Sequence, residues 1–349
     1  MDDIFELIDF AQFADEDNAP KRYIMDQENP VELFSDLQFY KRYRFSKEVV
    51  MDIIMPLITI HHNNNRGLPI PPILQLLTTL RFNASSNFQI VNGDLRGINQ
   101  GTVSRIIKNI SEMLASNVEN HVHFPRNADE WNIIKEKFYQ MYKMPGIGGC
   151  IDCTHIKIQN PGGPDSEVFR NRKGYFSLNV QAVCVPSMEF LDIVVRWPGS
   201  YHDSFIFSGS HANKYFSESI DHVLLLGDGG YPCKPYLFTP LRTPVTPSER
   251  KYNKCQIRTR NIIERTFGIW KRKFPCLRRC LANAPGTTVN IILSCALLHN
   301  ISRKYNQYTT DSDEEEEDLE EEDGEVAGEI DHSILGPAAR QAYIIRHFS

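Results

Sequence analysis

A mixed α/β domain preceded by an all-helical one is the fold class that the sequence predicts, and three observations carry it. The apolar periodicity changes from about 3.6 residues to 2 near residue 144. The stretches beyond that change read, in order, as strand, strand, strand, helix, strand, loop and helix. Three acids fall at particular places in that order: Asp152 on the first strand, Asp228 closing the fourth, and Glu264 on the late helix. A chain of 349 residues with 41% apolar content is long enough to bury one large core and a smaller helical one.

Residues 1–30 are mixed and acidic and are expected to be poorly ordered. The opening MDDIFELIDF is acidic where a secretory signal is basic, and no run approaches the roughly 20 apolar residues of a spanning helix, so no membrane partner is expected. Eight cysteines scattered through apolar or basic segments read as reduced, intracellular thiols.

Residues 31–143 read as helices. Ser46 precedes KEVVMDIIMPLI, where Val49, Val50, Ile53, Ile54 and Leu57 follow helical spacing behind a Ser cap. A loop rich in Asn, Gly and Pro covers 63–72, and a second helix runs from about Pro72 to Phe82 with Ile73, Leu76, Leu77 and Leu80 on one face. Within 86–114, Ser86 caps a short helix ending near Leu95, Gly97 supplies a turn, and a second helix from Thr102 to Leu114 turns Val103, Ile106, Ile107 and Ile110 inward. That is a helix-turn-helix pattern, which would place Gln100, Thr102, Ser104 and Arg105 at the start of a DNA recognition helix. An ordinary helical hairpin fits the same residues.

The central domain, 144–306, opens after the turn-rich MPGIGG. GCIDCTHIKI is a strand, and SLNVQAVCV and FLDIVVRW form a hairpin across PSME. WPGS stops the sheet, DSFIFSGSHANKYF is a helix of about three turns, and HVLLLGD is a short buried strand. Past a Pro-rich segment, Arg260 to Phe274 is helical, with Ile263, Phe267, Trp270 and Phe274 along one stripe. This is the layout of a ribonuclease-H-like domain. Carboxylates gathered at one end of a sheet repel each other and need compensating positive charge. A divalent metal cation supplies it, and ions held by oxygen ligands activate water and stabilise the leaving oxygen of a phosphodiester.

Charge agrees with a polyanionic partner. The net charge of −6 conceals 12 carboxylates within 311–325, which leave the rest of the chain at +6, and 242–279 holds 12 Lys or Arg against two Glu. DNA is the natural ligand for such a stretch, although a solvated helix face has the same composition. Arg260, Arg265, Lys271 and Arg272 share the helix of Glu264 and would face phosphates beside the metals. Arg260 and Glu264 also have the spacing of a simple helical salt bridge.

GCIDCTHI, WPGSYHDS, LLGDGGYP and IIERTFGIWKRKFPCL resemble, in order and spacing, the motifs of the PIF/Harbinger transposase superfamily. From about residue 30 onward the chain is similar to the domesticated, transposase-derived nucleases of animals, and LLHNIS at 297–302 and the terminal RHFS add to the match. The resemblance implies a DDE-type nuclease with catalytic and metal-holding Asp152, Asp228 and Glu264, a dependence on Mg²⁺ or Mn²⁺, and no other cofactor. It also implies a Myb/SANT-like companion protein that assists nuclear import and DNA binding, and a distribution between nucleus and cytoplasm. Transposases often work as dimers, so a homodimer is a further expected partner. Asp203 is a fourth acid in these motifs; it opens the intervening helix, where it serves either as a cap or as an additional metal ligand. The sequence departs from the family at Gln256, where the motif has His.

Other residues read as structural: Cys150 and Cys153 as core cysteines without a second pair at zinc spacing, and His155, His202 and His299 as hydrogen-bonded or packed imidazoles. The acidic segment, 307–332, is expected to be disordered, shielding the basic surface, attracting a basic partner, or acting as a plain solubilising linker. A helix over 333–349 is expected to return to the body. Two functions fit this reading: an active, transposase-derived, metal-dependent endonuclease, and a catalytically inactive adaptor that binds DNA or protein.

Overall fold

The computed structural model describes residues 29–59, 70–85, 98–218, 223–307 and 334–349. A single turn at Pro30–Leu33 leads to α1, Asp36–Tyr43, which Ser35 and Gln38 cap reciprocally. The stretch after Ser46 is helical as expected, but it widens into a π-helix at Val49–Ile54 and tightens into a 3₁₀ turn at Met55–Leu57. Pro56 explains the departure: it lacks an N–H, and its ring would strike the carbonyl one turn back in a regular α-helix.

Helix α2, Pro72–Asn83, buries Leu76, Leu77 and Leu80; α3, Gln100–Ala115, starts at the Asn99 cap and buries Val103, Ile106, Ile107, Ile110 and Leu114. The first half of the proposed helix-turn-helix, 86–97, lies outside the described residues. Helix α4, Ala128–Tyr142, starts at Asn127 and ends at Lys143 in the left-handed region. These helices share one continuous apolar core with the sheet and the later helices. An all-helical domain standing apart is therefore not evident among the described residues.

The sheet has five strands: β1 Ile147–Lys157, β2 Ser177–Cys184, β3 Phe190–Pro198, β4 Leu224–Leu226 and β5 Leu237–Phe238. Their order is β3-β2-β1-β4-β5, with β2 antiparallel to both β1 and β3, and β4 parallel to both β1 and β5. β1 starts two residues earlier than expected, inside the apparent turn, because glycine is needed there for close packing: a Cβ on Gly148 would lie 2.1 Å from Val223 Cγ1 and 2.8 Å from the Trp131 ring. β5, only two residues long, carries no periodicity and was not predicted.

Helices cover both faces of the sheet. The stretch expected as one helix is two, α5 Asp203–Ser208 and α6 His211–Glu218, separated around Gly209; they pack with Trp131 over Ile151, Val183 and Leu225. On the other face lie α7, Pro247–Lys273, and α8, Pro285–Lys304, against Cys150, Val180, Ala182 and Cys184. α7 is nearly twice the predicted length, since Thr246 and Glu249 form a capping box well upstream of the apolar stripe. The C-terminal helix α9, Leu335–Phe348, is fastened by Tyr343 Oη donating to the Pro145 carbonyl at 2.8 Å and by Arg340 donating to that of Thr239 at 2.8 Å. Among the described residues no helix is long and apolar enough to cross a membrane.

Candidate metal centre

The topology opens a crevice where β4 stops short. β1 and β4 pair only as far as Cys150 and Leu226, yet β1 continues to Lys157. Asp152 and Asp228 each stand two residues beyond that last pair and so meet in the gap, as ligand-binding groups do at the carboxyl ends of parallel strands. The Cys153 N–H holds Asp152 Oδ1 at 2.8 Å, and the Gly230 N–H holds Asp228 Oδ1 at 2.9 Å. Gln256, the residue standing where the family motif has His, fixes the end of β4 by donating Nε2 to the Gly227 carbonyl at 2.8 Å.

Asp203 arrives from the opposite face of the sheet. The turn before it sits directly on β2: a Cβ on Gly199 would lie 2.2 Å from Ser177 Oγ, and Gly199 N–H donates to the Ser177 carbonyl at 2.9 Å. Asn179 Nδ2 then donates to the Tyr201 carbonyl at 3.0 Å and to Asp203 Oδ1 at 3.1 Å. The Asp203 carboxylate does not cap α5; His202 holds the cap position, with no side-chain cap bond. One carboxylate oxygen from each of Asp152, Asp203 and Asp228 lies within 4.8 Å of the others. The topological argument for Asp228 and the motif's claim for Asp203 therefore converge on one cluster.

Glu264 joins through Arg260. The guanidinium donates Nη1 to Asp152 Oδ2 at 2.9 Å and Nη2 to Glu264 Oε1 at 2.6 Å. Burial is the main reason the Asp152 carboxyl is held well above the usual range; Asp228 and Asp203 push it further and Arg260 opposes them. Asp228 is raised by burial and by Asp203, against the pull of Arg260 and the Gly230 N–H. Repulsion that one guanidinium leaves uncompensated is what a bound cation relieves.

The donor chemistry selects the kind of ion. The atoms the cluster offers are carboxylate oxygens, the donors that suit a hard divalent cation. Cys153, 3.3 Å from Tyr231 Oη, has its thiol pushed well up by burial and by Asp203, so it stays protonated and offers no thiolate.

The other residues singled out in the sequence occupy varied positions. Lys271 Nζ donates to Thr154 Oγ1 at 2.6 Å and to the His155 carbonyl at 3.2 Å, beside β1 and beyond Asp152. Arg265 is exposed on α7 and Arg272 half-buried. Gln100, Thr102, Ser104 and Arg105 occupy the first two turns of α3, none of them buried, with Arg105 donating to Thr102 Oγ1 at 3.1 Å. His155 Nδ1 contacts Ser177 Oγ at 3.1 Å, and His202 contacts Arg172. Cys150 is buried and all eight cysteines are free. Asn179 escaped the sequence reading, although an amide in the middle of a strand otherwise fit for burial is a signal that its polar group has a specific partner.

Comparison with known proteins bears on these same residues. Residues 151–300 match the family model described as DDE superfamily endonuclease. Over 276 residues, covering 78% of this chain and 79% of the relative, the sequence is 32% identical to the "Putative nuclease HARBI1" of Bos taurus. The chain belongs to the Harbinger transposase-derived nuclease family. The Homo sapiens member with the same name is 30% identical over 322 residues, 90% of this chain and 91% of its own. "Protein ALP1-like" of Arabidopsis thaliana is 28% identical over 256 residues, 68% of this chain and 62% of its own. Asp152, Asp203, Asp228 and Glu264 all fall inside the segment that matches the endonuclease model. No solved structure matches the chain.

Proposed function

We propose that this protein is a divalent-metal-dependent endonuclease that hydrolyses DNA phosphodiester bonds on a ribonuclease-H-like fold. The observation that carries the reading is the convergence of Asp152, Asp203 and Asp228 within 4.8 Å at the end of β4. Those three and Glu264 are the residues that would hold Mg²⁺ or Mn²⁺. The bound ion would supply an activated water and a counter-charge for the departing 3′ oxygen.

The chain's own residues do the rest. Asn179 and the Cys153 and Gly230 amides keep the carboxylates aimed into the crevice. Lys271, on the same helix as Glu264, sets a positive charge along the exit of β1. The basic stretch 242–279 supports a DNA backbone as ligand, and Gln100, Thr102, Ser104 and Arg105 on α3 form a second proposed contact. A Myb/SANT-like companion, a homodimer and a nuclear and cytoplasmic distribution follow from the family resemblance and are part of the same proposal.

Incubating supercoiled plasmid with the full chain and Mg²⁺ or Mn²⁺ tests it. Nicking that needs the metal and disappears in Asp152→Ala, Asp228→Ala and Glu264→Ala supports the reading; nicking that survives all three changes sinks it. One observation favours the alternative, an inactive adaptor: Arg260 already pairs with both Asp152 and Glu264, an arrangement that would let these acids serve packing without cutting. Metal-free and metal-loaded protein binding DNA equally, with no nicking, would favour that alternative.

A further inference from the structure

Three aromatic rings gather around the turn that carries Asp203 to the cluster. Trp197 near the end of β3, Tyr201 in the turn and Phe205 on α5 pack against one another, with ring centres 5.0, 5.1 and 5.1 Å apart. Phe205 is nevertheless 49% exposed, and Trp197 and Tyr201 are only half-buried. The other two tryptophans, Trp131 and Trp270, are fully buried.

Sheet register ties these rings to the acids. Trp197 on β3 stands opposite Asn179 on β2, so both side chains leave the same face of the sheet. The Asn179 amide donates to the Tyr201 carbonyl and to Asp203 Oδ1. Trp197 is therefore one strand spacing, roughly 5 Å, from the residue that aims Asp203. Tyr201 and Phe205 flank Asp203 at two residues on either side. Positive charge edges the rings: the exposed Arg196 holds its guanidinium 5.1 Å from the centre of the Trp197 ring and donates Nη2 to the Gly209 carbonyl at 2.8 Å. The exposed Arg172 contacts His202, between Tyr201 and Asp203.

Flat apolar faces edged by guanidinium groups suit an unpaired nucleobase, which stacks on aromatic rings while its phosphates meet cations. A base inside a duplex has no face to offer them. Because the three rings already hold one another in place, little side-chain freedom is lost on binding. A peptide could lie on the same rings, but the arginines and the nearness of Asp203 favour a nucleotide. We propose that Trp197, Tyr201 and Phe205 form a stacking platform for an unpaired base beside the bond to be cut, so that duplex DNA flanked by unpaired nucleotides is preferred over an uninterrupted duplex. This rests on the DNA-cleaving reading proposed above.

The test is the affinity of the full chain, with chelator present so that no strand is cut, for a blunt duplex, the same duplex with a short unpaired flank of either polarity, and the same flank with its bases removed. The base-bearing flank should bind about 5- to 150-fold more tightly than the abasic one, the range for one stacked base. It should also quench tryptophan fluorescence through Trp197, since Trp131 and Trp270 are buried. Phe205→Ala should bring the two flanks close to equal affinity. Trp197→Phe, which keeps a ring for stacking, should retain the preference and lose the quenching. Equal affinity of wild type for base-bearing and abasic flanks would overturn the platform and leave the rings to a protein partner; a preference undiminished in Phe205→Ala, or quenching that persists in Trp197→Phe, would overturn it as well. Binding of none of the three DNAs would overturn the DNA reading itself.

Discussion

His299 makes the stability of this protein depend on pH in a way that one substitution removes. The imidazole lies in α8, fully buried, with Nε2–H donating to the Met188 carbonyl at 2.7 Å and the ring 5.0 Å from Phe190. Nδ1 is buried and has no hydrogen-bond partner among the described residues. Protonating Nδ1 would place a charge against apolar surroundings, and burial lowers the His299 pKa to about 3 from its ordinary value of 6.5. A folded pKa below the unfolded one means that the unfolded chain binds the extra proton first. The stabilising contribution is therefore complete above pH 6.5 and is lost as pH falls toward 3. At about 1.4 kcal/mol per unit, lowering the pH from 7 to 5 costs about 2 kcal/mol. Equilibrium urea unfolding at pH 7, 6 and 5 measures it, with His299→Gln as the comparison, since glutamine keeps a donor for Met188 and does not titrate. The wild type should lose about 2 kcal/mol more than the variant over that range. An equal loss in both would show that His299 is not the titrating group.

Three further outcomes follow from the site and its supports. In metal-free protein, the carboxyls of Asp152 and Asp228 have folded pKa values raised by burial and mutual repulsion, so their contribution to stability falls as pH rises through those values. Asp152→Asn should therefore be relatively more stable than wild type at neutral pH than at pH 4 when chelator is present, and should lose the thermal stabilisation that Mn²⁺ gives; thermal melts with and without metal read both. Gly148→Ala forces a methyl into Val223 and Trp131 and should cost about 1–3 kcal/mol or more, seen as a lowered urea midpoint. Gln256→Ala should cost about 1–3 kcal/mol by leaving the Gly227 carbonyl unpaired, whereas Gln256→His retains a ring donor and should stay close to wild type in unfolding and in Mn²⁺ affinity.

The elements easiest to read from sequence were those whose environment is repeated along the chain. β2 shows its alternation because Leu178, Val180, Ala182 and Cys184 share the face packed against the core helices, and α7 shows its stripe because Ile263, Phe267 and Trp270 lie in the same core. β5 was hidden because two residues cannot display a period, and the widened turn at Val49–Ile54 because periodicity does not record how a proline is accommodated. Element order combined with motif singles out Asp152, Asp228 and Glu264; the structure brings the first two together with Asp203, and Glu264 meets them only through Arg260. What could not be read was which acids touch. Asp203 is carried into the cluster by Gly199 packing on Ser177 and by Asn179 reaching across from β2, contacts between residues about twenty positions apart. The same holds for Arg260: its spacing from Glu264 suggested a local salt bridge, and only the packing of α7 on β1 adds Asp152 to the pair.

On the function proposed above, Asp203 completes a metal-holding cluster with Asp152 and Asp228 in a working nuclease. The most direct measurement is the rate of Mn²⁺-dependent plasmid nicking by Asp203→Ala against wild type, with the fold of the variant checked by circular dichroism. Nicking by wild type and its loss in the folded variant is the predicted result; nicking by Asp203→Ala at the wild-type rate would remove Asp203 from the working site.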